Sequence, residues 1–380
     1  MILRSYDVAI VGAGIVGLAH AFAARRLGKR VLLLDREASP VGASVRNFGF
    51  VTVTGQEAGD CWEKALRARA IWDEVIAAAR IPALHRGLLV TARRPEAEAV
   101  IDAFLATDMG RGCRRLTGEG AREVEPLLGP AVTAALHSPH EIRVESRTAI
   151  PAILAWLVCE GVDFHGQTAV HAVETPRIHT SRGEFRADTV VVCPGDDTLT
   201  LFPDRIAARE VSRVKLHMLR VAPAATRALG VAIMSDLGLA RYRGYAALPE
   251  AAALSARLDA EQAAHRANGV HLIAVGSGDG TLVVGDSHHY GTTLDPFQPA
   301  DVDDLILSEL DAVLALRGRR VVERWVGTYA VSPQGWRFTD APDDATRVVV
   351  VTAGCGASTA FAIGEETIHD LFGVRTGAAA

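Results

Sequence analysis

The stretch YDVAIVGAGIVGLAHAFAARRLGKRVLLLDRE, from Tyr6 to Glu37, constrains this chain more than any other. DVAIV is a short run of apolar, partly β-branched residues. That is the pattern of a strand buried on both faces of a parallel sheet. GAGIVG follows, with glycines at 12, 14 and 17. A run of helix formers then stops at Gly28, a position suited to a C-cap. KRVLLLD reads as a second strand closing on Asp35, 23 residues beyond Gly12. In such a βαβ unit Gly12 permits the tight turn. Gly14 lets the backbone approach a pyrophosphate, and Gly17 lets helix and strand pack closely. The helix N-terminus offers N–H groups and a positive dipole end to phosphates. Asp35 can accept from both hydroxyls of a ribose and would repel a 2′-phosphate. The unit predicts a dinucleotide but does not by itself separate FAD from NAD.

At 380 residues, 49% of them apolar, the chain is long enough for two domains with sizeable cores. A net charge of -5 weighs against a nucleic-acid partner. The five cysteines form no C-x-x-C pair, so reduced thiols and a cytoplasmic location are expected. The apolar window from Ala9 to Ala24 holds three glycines and a histidine, and is too short for a membrane span. No metal site is expected. In SHHY the two imidazoles of a strand point apart, and no H-x-x-x-H occurs.

Three later stretches bear on the cofactor. GASVRNFGF, from Gly42 to Phe50, is a polar loop that can follow a long cofactor past its pyrophosphate. ADTVVVCPGDDT, from Ala187 to Thr198, is a buried strand running into Gly195. RVVVVTAGCGASTAFAIGEETIHDLFG, from Arg347 to Gly373, is strand, glycine turn and helix. With these blocks the chain resembles the FAD-dependent amine and amino-acid oxidoreductases of the D-amino-acid oxidase, glycine oxidase and sarcosine oxidase type. The resemblance runs from Asp7 to about Phe372.

The resemblance implies a Rossmann-like α/β FAD-binding domain, discontinuous in sequence, beside a mainly antiparallel β-sheet substrate domain. The boundaries expected are 1–82, 143–205 and 323–375 for the first, and 83–142 and 206–322 for the second. It implies cofactor contacts from Gly12, Gly14, Ile15, Val16, Gly17, Asp35, Arg36, Ser44, Arg46 and Asn47 in the N-terminal part. Val170 and Gly195 follow, then Gly354, Gly356, Ala357, Ser358 and Thr359 in the last turn. A helix N-terminus near the flavin pyrimidine would stabilise the anionic reduced flavin. Some sarcosine oxidases attach the flavin to a cysteine just before the C-terminal block. GTYAVSPQGWRF has none there, so noncovalent FAD is expected.

A narrower resemblance lies in GASVRNFG, GDSHHYG and VERWVGTYAVSPQG. These are similar to a bacterial branch of the family associated with aminophosphonate breakdown. The expected reaction is oxidation of a small primary or N-methyl amine, amino acid or aminophosphonate to an imine. The imine hydrolyses to an aldehyde or keto acid, with O2 as acceptor giving H2O2. A dehydrogenase passing electrons to a quinone or carrier, and a flavin-binding subunit without its own substrate site, remain as alternatives. A small anionic amine needs cationic or polar anchors. The candidates are Arg46 and Asn47 in the polar loop, His217 in KLHML, and Tyr242 between Arg241 and Arg243 in ARYRGY. His288 and Tyr290 share one strand face, and Trp336 could cover the flavin.

Overall fold

The computed structural model describes residues 5–224 and 228–374. Residues 1–4 and 375, which fall within the expected domain boundaries, lie outside the described residues.

The first sheet has eight strands drawn from three separated stretches of chain. Its main order is Arg337–Asp343, Thr346–Val351, Gly183–Val192, Ser5–Val11, Val31–Leu34, Asp163–His165. The last five of these run parallel, and Arg337–Asp343 is antiparallel at the edge. The ladder pairs Val11 with both Leu34 and Val192, so three strands end level. Gly12, Asp35 and Cys193 therefore emerge side by side at the carboxyl edge, where an open parallel sheet binds its ligands. This is the α/β Rossmann-like, discontinuous FAD-binding fold that the family resemblance implies.

Two helices cover one face of that sheet. Ile15–Arg26 follows the glycine turn, and Gly28 leaves it with φ of 71°, the left-handed conformation that glycine takes at no steric cost. Gly356–Leu371 lies against it, and Asp60–Ala78 packs on Gly356–Leu371 in turn. Phe22, Trp72 and Phe361 form the aromatic centre of this layer, with ring centroids 5.6 and 5.1 Å apart in edge-to-face pairs.

The second sheet has ten strands. Its main order is His289–Gly291, Ser212–Pro223, Leu282–Gly285, Ile273–Gly276, Ala232–Met234, Ala83–Ala92, Ala134–Val144, Phe50–Val51. All its pairs are antiparallel except Ala232–Met234 with Ala83–Ala92. The sheet is mixed, as a mainly antiparallel expectation allows. The long strand Arg319–Val331 pairs with Ser212–Pro223 along its length. Its hydrogen bonds place residues 323–331 in this sheet, although their place in the chain is next to the first sheet's last strands. Ile273–Gly276 and Leu282–Gly285 form a hairpin, with Gly280 at φ of 81° in its turn. Two short helices, Ala251–Glu261 and Ala263–Ala267, follow one another with a break at Gln262. Among the described residues no helix is long and apolar enough to cross a membrane.

Candidate active site

One cavity of about 1160 Å³ runs between the two sheets. At one end it is lined by Gly12, Gly14, Ile15, Val16, Gly17, Asp35, Arg36 and Val170. At the other end lie Arg241, Tyr242, His271, Asp286, His288, Tyr290 and Tyr329. The turn Gly354–Ala357 and the loop carrying Ser44, Arg46 and Asn47 border the space between. The first turns of two helices, Ile15–Arg26 and Gly356–Leu371, thus open onto the same cavity. Their leading N–H groups have no intrahelical acceptor.

The glycine cradle is tight for a steric reason. A Cβ on Gly12 would drive into the Cys193 carbonyl, and one on Gly17 into the Gly12 carbonyl. A Cβ on Gly14 would meet the Ser44 hydroxyl at 3.1 Å. That hydroxyl accepts from the Ile15 N–H at 2.8 Å. Asp35 Oδ2 accepts from the Ala13 N–H at 2.6 Å, and Oδ1 from the Glu37 N–H at 2.8 Å. Asp35 is therefore held by backbone on one side of each oxygen, and each oxygen retains a lone pair. Arg36 pairs across the cavity mouth with Asp197. The cradle, the acid beyond it and the long cavity all fit a bound FAD.

Other expected cofactor residues are placed as follows. Gly195, Gly354, Gly356 and Ala357 line the cavity. Ser358 and Thr359 do not, and this corrects the expectation. The Ser358 hydroxyl accepts from the Thr52 N–H at 2.8 Å, and the Thr359 hydroxyl donates back to the Cys355 carbonyl at 3.0 Å. A helix turns 100° per residue, so its third and fourth residues leave the face that its first two present.

The expected substrate residues divide. Tyr242, His288, Tyr290 and Trp336 line the cavity. His288 and Tyr290 lie on the same side, with rings 6.3 Å apart, while His289 turns away towards His217. Arg46 and Asn47 line the cavity too, but their side chains brace the loop. Arg46 Nε donates to the Val41 carbonyl at 2.7 Å. Asn47 donates to the Ala43 carbonyl and accepts from the Gly49 N–H, both at 2.6 Å. His217 is a correction. It is fully buried away from the cavity, with Nδ1 3.4 Å from Asp303 Oδ1. Leu216 and Met218 line the cavity, and strand alternation sends the residue between them to the other face.

At this end of the cavity sequence reasoning settled on Tyr242 rather than its neighbour Arg241, and it missed three further groups, Asp286, His271 and Tyr329. Arg241 Nη2 donates to the Tyr290 hydroxyl at 3.3 Å. Among the described residues no carboxylate lies within ion-pair distance of this guanidinium. The neighbouring Arg243, in contrast, pairs with Glu57 at 3.1 Å. Asp286 stands two residues before His288, so the period of two that linked His288 to Tyr290 carried a signal for it. His271 faces Asp286 because the two exchange backbone hydrogen bonds of 2.9 and 3.2 Å. Tyr329 arrives on Arg319–Val331, and only its pairing with Ser212–Pro223 puts it here.

The electrostatics of this end follow from burial. Desolvation pushes the Asp286 carboxyl up to about 8, against the opposing pull of Arg241. Burial and the Arg241 charge hold the His271 and His288 imidazoles well below their ordinary range. Burial also pushes the Tyr242 and Tyr329 phenols up. Cys61 and Cys355 are both buried on the cavity wall; Cys61 Sγ donates to Gln56 Oε1 at 3.6 Å, and the neighbouring Cys355 thiol together with burial pushes the Cys61 thiol up.

A glycine-cradled carboxyl edge, two converging helix N-termini and a second sheet closing the cavity define a two-domain flavoprotein oxidoreductase. The chain belongs to the DAO family of FAD dependent oxidoreductases, whose model matches residues 7–369. Solved structures share the fold at low identity. Glycine oxidase from Bacillus cereus ATCC 14579 is 19% identical, with a TM-score of 0.79, over 97% of this chain and 96% of that one. L-proline dehydrogenase from P. horikoshii is 16% identical, with a TM-score of 0.79, over 99% and 96%. Iminodiacetate oxidase from Chelativorans sp. BNC1 is 18% identical, with a TM-score of 0.72, over 98% and 97%. A comparison with curated proteins finds no match.

Proposed function

We propose that the chain oxidises a small amine bearing an anionic head, at noncovalently bound FAD, with O2 as the acceptor. The observation that carries this is Arg241. A guanidinium without a carboxylate partner faces a cavity that also runs past the glycine turn Gly354–Ala357. A half-buried cation with no carboxylate at ion-pair distance is open to an anionic ligand as its counterion. FAD supplies the acceptor for the hydride and its two electrons. The chain's own residues hold the acid head at Arg241 and Tyr290, and the second sheet keeps water from the cavity.

An aminophosphonate suits this end better than a simple amino acid. A phosphonate offers three oxygens and up to two negative charges. Arg241, Tyr290 and Tyr242 offer several donors from different directions. The names of the structural relatives, which act on glycine, proline and iminodiacetate, support an amine or imino acid at the reacting carbon. The same reading assigns 1–82, 143–205 and 323–375 to FAD and 83–142 and 206–322 to substrate. Strand Arg319–Val331 crosses the boundary at 323 and carries Tyr329 from the second sheet to the glycine turn of the first.

An anaerobic screen of amino acids, N-methyl amines and aminophosphonates, followed by flavin bleaching, tests the reading. Bleaching by amines with an acid head, and release of all the yellow colour into the supernatant on acid precipitation, are the expected results. Bleaching as fast by neutral amines refutes the anionic head. Colour retained in the pellet refutes noncovalent FAD.

A further inference from the structure

The substrate end of the cavity holds a line of side chains that anion binding alone does not use. Nε2 of His288 lies 3.2 Å from the Tyr329 hydroxyl. Nδ1 of His288 lies 3.2 Å from the Gly269 carbonyl and 3.8 Å from Asp286 Oδ1. Asp286 Oδ1 also stands 3.1 Å from Nδ1 of His271. A carbonyl oxygen can only accept, so Nδ1 of His288 carries its proton and Nε2 presents a lone pair. The Tyr329 hydroxyl must then donate to that lone pair. Its oxygen sits against the glycine turn, where a Cβ on Gly354 would approach it to 3.2 Å.

We propose that Tyr329, His288 and Asp286 form a relay that takes a proton from the ammonium group of the substrate. The inference rests on the amine reading above. An amine arrives from neutral water as an ammonium ion, which has no nitrogen lone pair to stabilise the loss of hydride from the adjacent carbon. In the step, one N–H bond of the ammonium breaks and its proton passes to the Tyr329 oxygen. The proton already on that oxygen passes to Nε2 of His288. No electrons change owner. The substrate nitrogen is left neutral with its lone pair, Tyr329 is again a phenol, and His288 is an imidazolium. The Gly269 carbonyl holds that cation, and the Asp286 carboxyl 3.8 Å away adds its charge once pH passes about 8 and it ionises. Tyr329 is the group that touches substrate, while His288 and Asp286 act through it.

Other charged and titratable groups face the relay. They are Arg241 and Tyr242 from the segment entering Arg243–Ala246, His271 beside Ile273–Gly276, and His289 and Tyr290 on the strand that follows His288. With Asp286 ionising near 8, the relay accepts its proton more readily as pH rises through that value. His271, Asp286 and His288 also have the composition of a metal site, with ligand atoms within 4.8 Å of one another. The Gly269 carbonyl keeps the proton on Nδ1 of His288, which takes that atom away as a ligand, and the Arg241 charge opposes a metal ion beside Asp286.

The test uses the FAD-loaded protein and an amine that bleaches the wild type. Anaerobic flavin reduction is followed against pH in wild type, Tyr329→Phe and Asp286→Asn. Tyr329→Phe should slow reduction about 100–10,000-fold near neutral pH, the usual size of a lost proton-transfer group. Its rate should recover as pH approaches the substrate's own amine pKa. Asp286→Asn should abolish the rise near 8. A second readout needs no turnover. An amine with the same head but no hydrogen on its α-carbon is bound to protein labelled with ¹⁵N-histidine. Above pH 8, where Asp286 is ionised, His288 should become an imidazolium in wild type and stay neutral in Tyr329→Phe. A His288 that stays neutral in wild type overturns the relay, as do parallel pH profiles for wild type and Tyr329→Phe. Stoichiometric bound metal, with reduction lost on chelation, also overturns it. If no amine bleaches the wild type, the amine reading fails first and the relay with it. Bleaching with an unchanged Tyr329→Phe profile is the failure of the relay alone.

Discussion

Gly364, in the middle of the last helix, lies directly on the backbone of Ala19 in the first. A Cβ at Gly364 would come within 2.7 Å of the Ala19 carbonyl carbon and 2.9 Å of the His20 nitrogen. Backbone against backbone leaves no flexible atom to give way. The contact sets how closely the two helices pack, and both helices aim their N-termini into the cofactor end of the cavity.

Gly364→Ala is therefore expected to push the helices apart and cost ~1–3 kcal/mol of stability, despite the better helix propensity of alanine. Thermal unfolding should show a lower Tm, and FAD should be retained less well. A Tm equal to or above that of the wild type would show that the helices can slide without loss.

Asp35→Ala removes the proposed ribose acceptor and also the partner of the Ala13 and Glu37 N–H groups. Charge-assisted hydrogen bonds of this kind are worth ~1–3 kcal/mol. FAD should wash out during gel filtration at concentrations where the wild type stays yellow. Equal retention would count against Asp35 as the ribose residue.

Arg241→Met keeps the apolar stem and removes the unpaired charge. For an amine with an acid head, kcat/KM should fall by about 10–100-fold, the size of one lost charge-assisted contact. A neutral amine of similar shape should lose much less. Steady-state or anaerobic reduction kinetics with both substrates distinguish the two. An equal loss for both would point to a structural role.

His20 gives the acid limb of the stability curve. It is wholly buried in the first helix, with Nδ1 2.7 Å from the Val16 carbonyl, and burial lowers it from 6.5 to about 4. The unfolded chain therefore binds a proton that the folded chain refuses between these two values. Stability from this group is complete above 6.5 and is lost as pH falls towards 4. The loss is on the order of 3–4 kcal/mol at the acid end. Denaturant unfolding at several pH values should show a shallower acid limb in His20→Leu. An unchanged slope would assign the limb to other groups.

The first helix and its glycine turn were legible because their signals are local. A tight turn, a close approach and a terminal acid act within one βαβ unit, so Gly12, Gly14, Gly17 and Asp35 stand where their spacing puts them. Strand alternation likewise set His288 beside Tyr290 and opposite His289. The same rule needs a known phase, and for Ser212–Pro223 the sequence does not say which face meets the cavity. Leu216 and Met218 took that face, and His217 went to Asp303 behind it.

What the chain order by itself determined is the class of fold and the end of the sheet that binds a dinucleotide. The substrate end was decided only in three dimensions. Arg241, His271, Asp286 and Tyr329 come from four stretches of chain, and their meeting depends on strand register. Tyr329 stands opposite Val214 because Arg319–Val331 pairs with Ser212–Pro223, and His271 faces Asp286 across a hairpin. A one-residue slip in either ladder would turn each side chain to the other face. Register is a long-range energy, settled by how the whole apolar face packs, and no local spacing carries it.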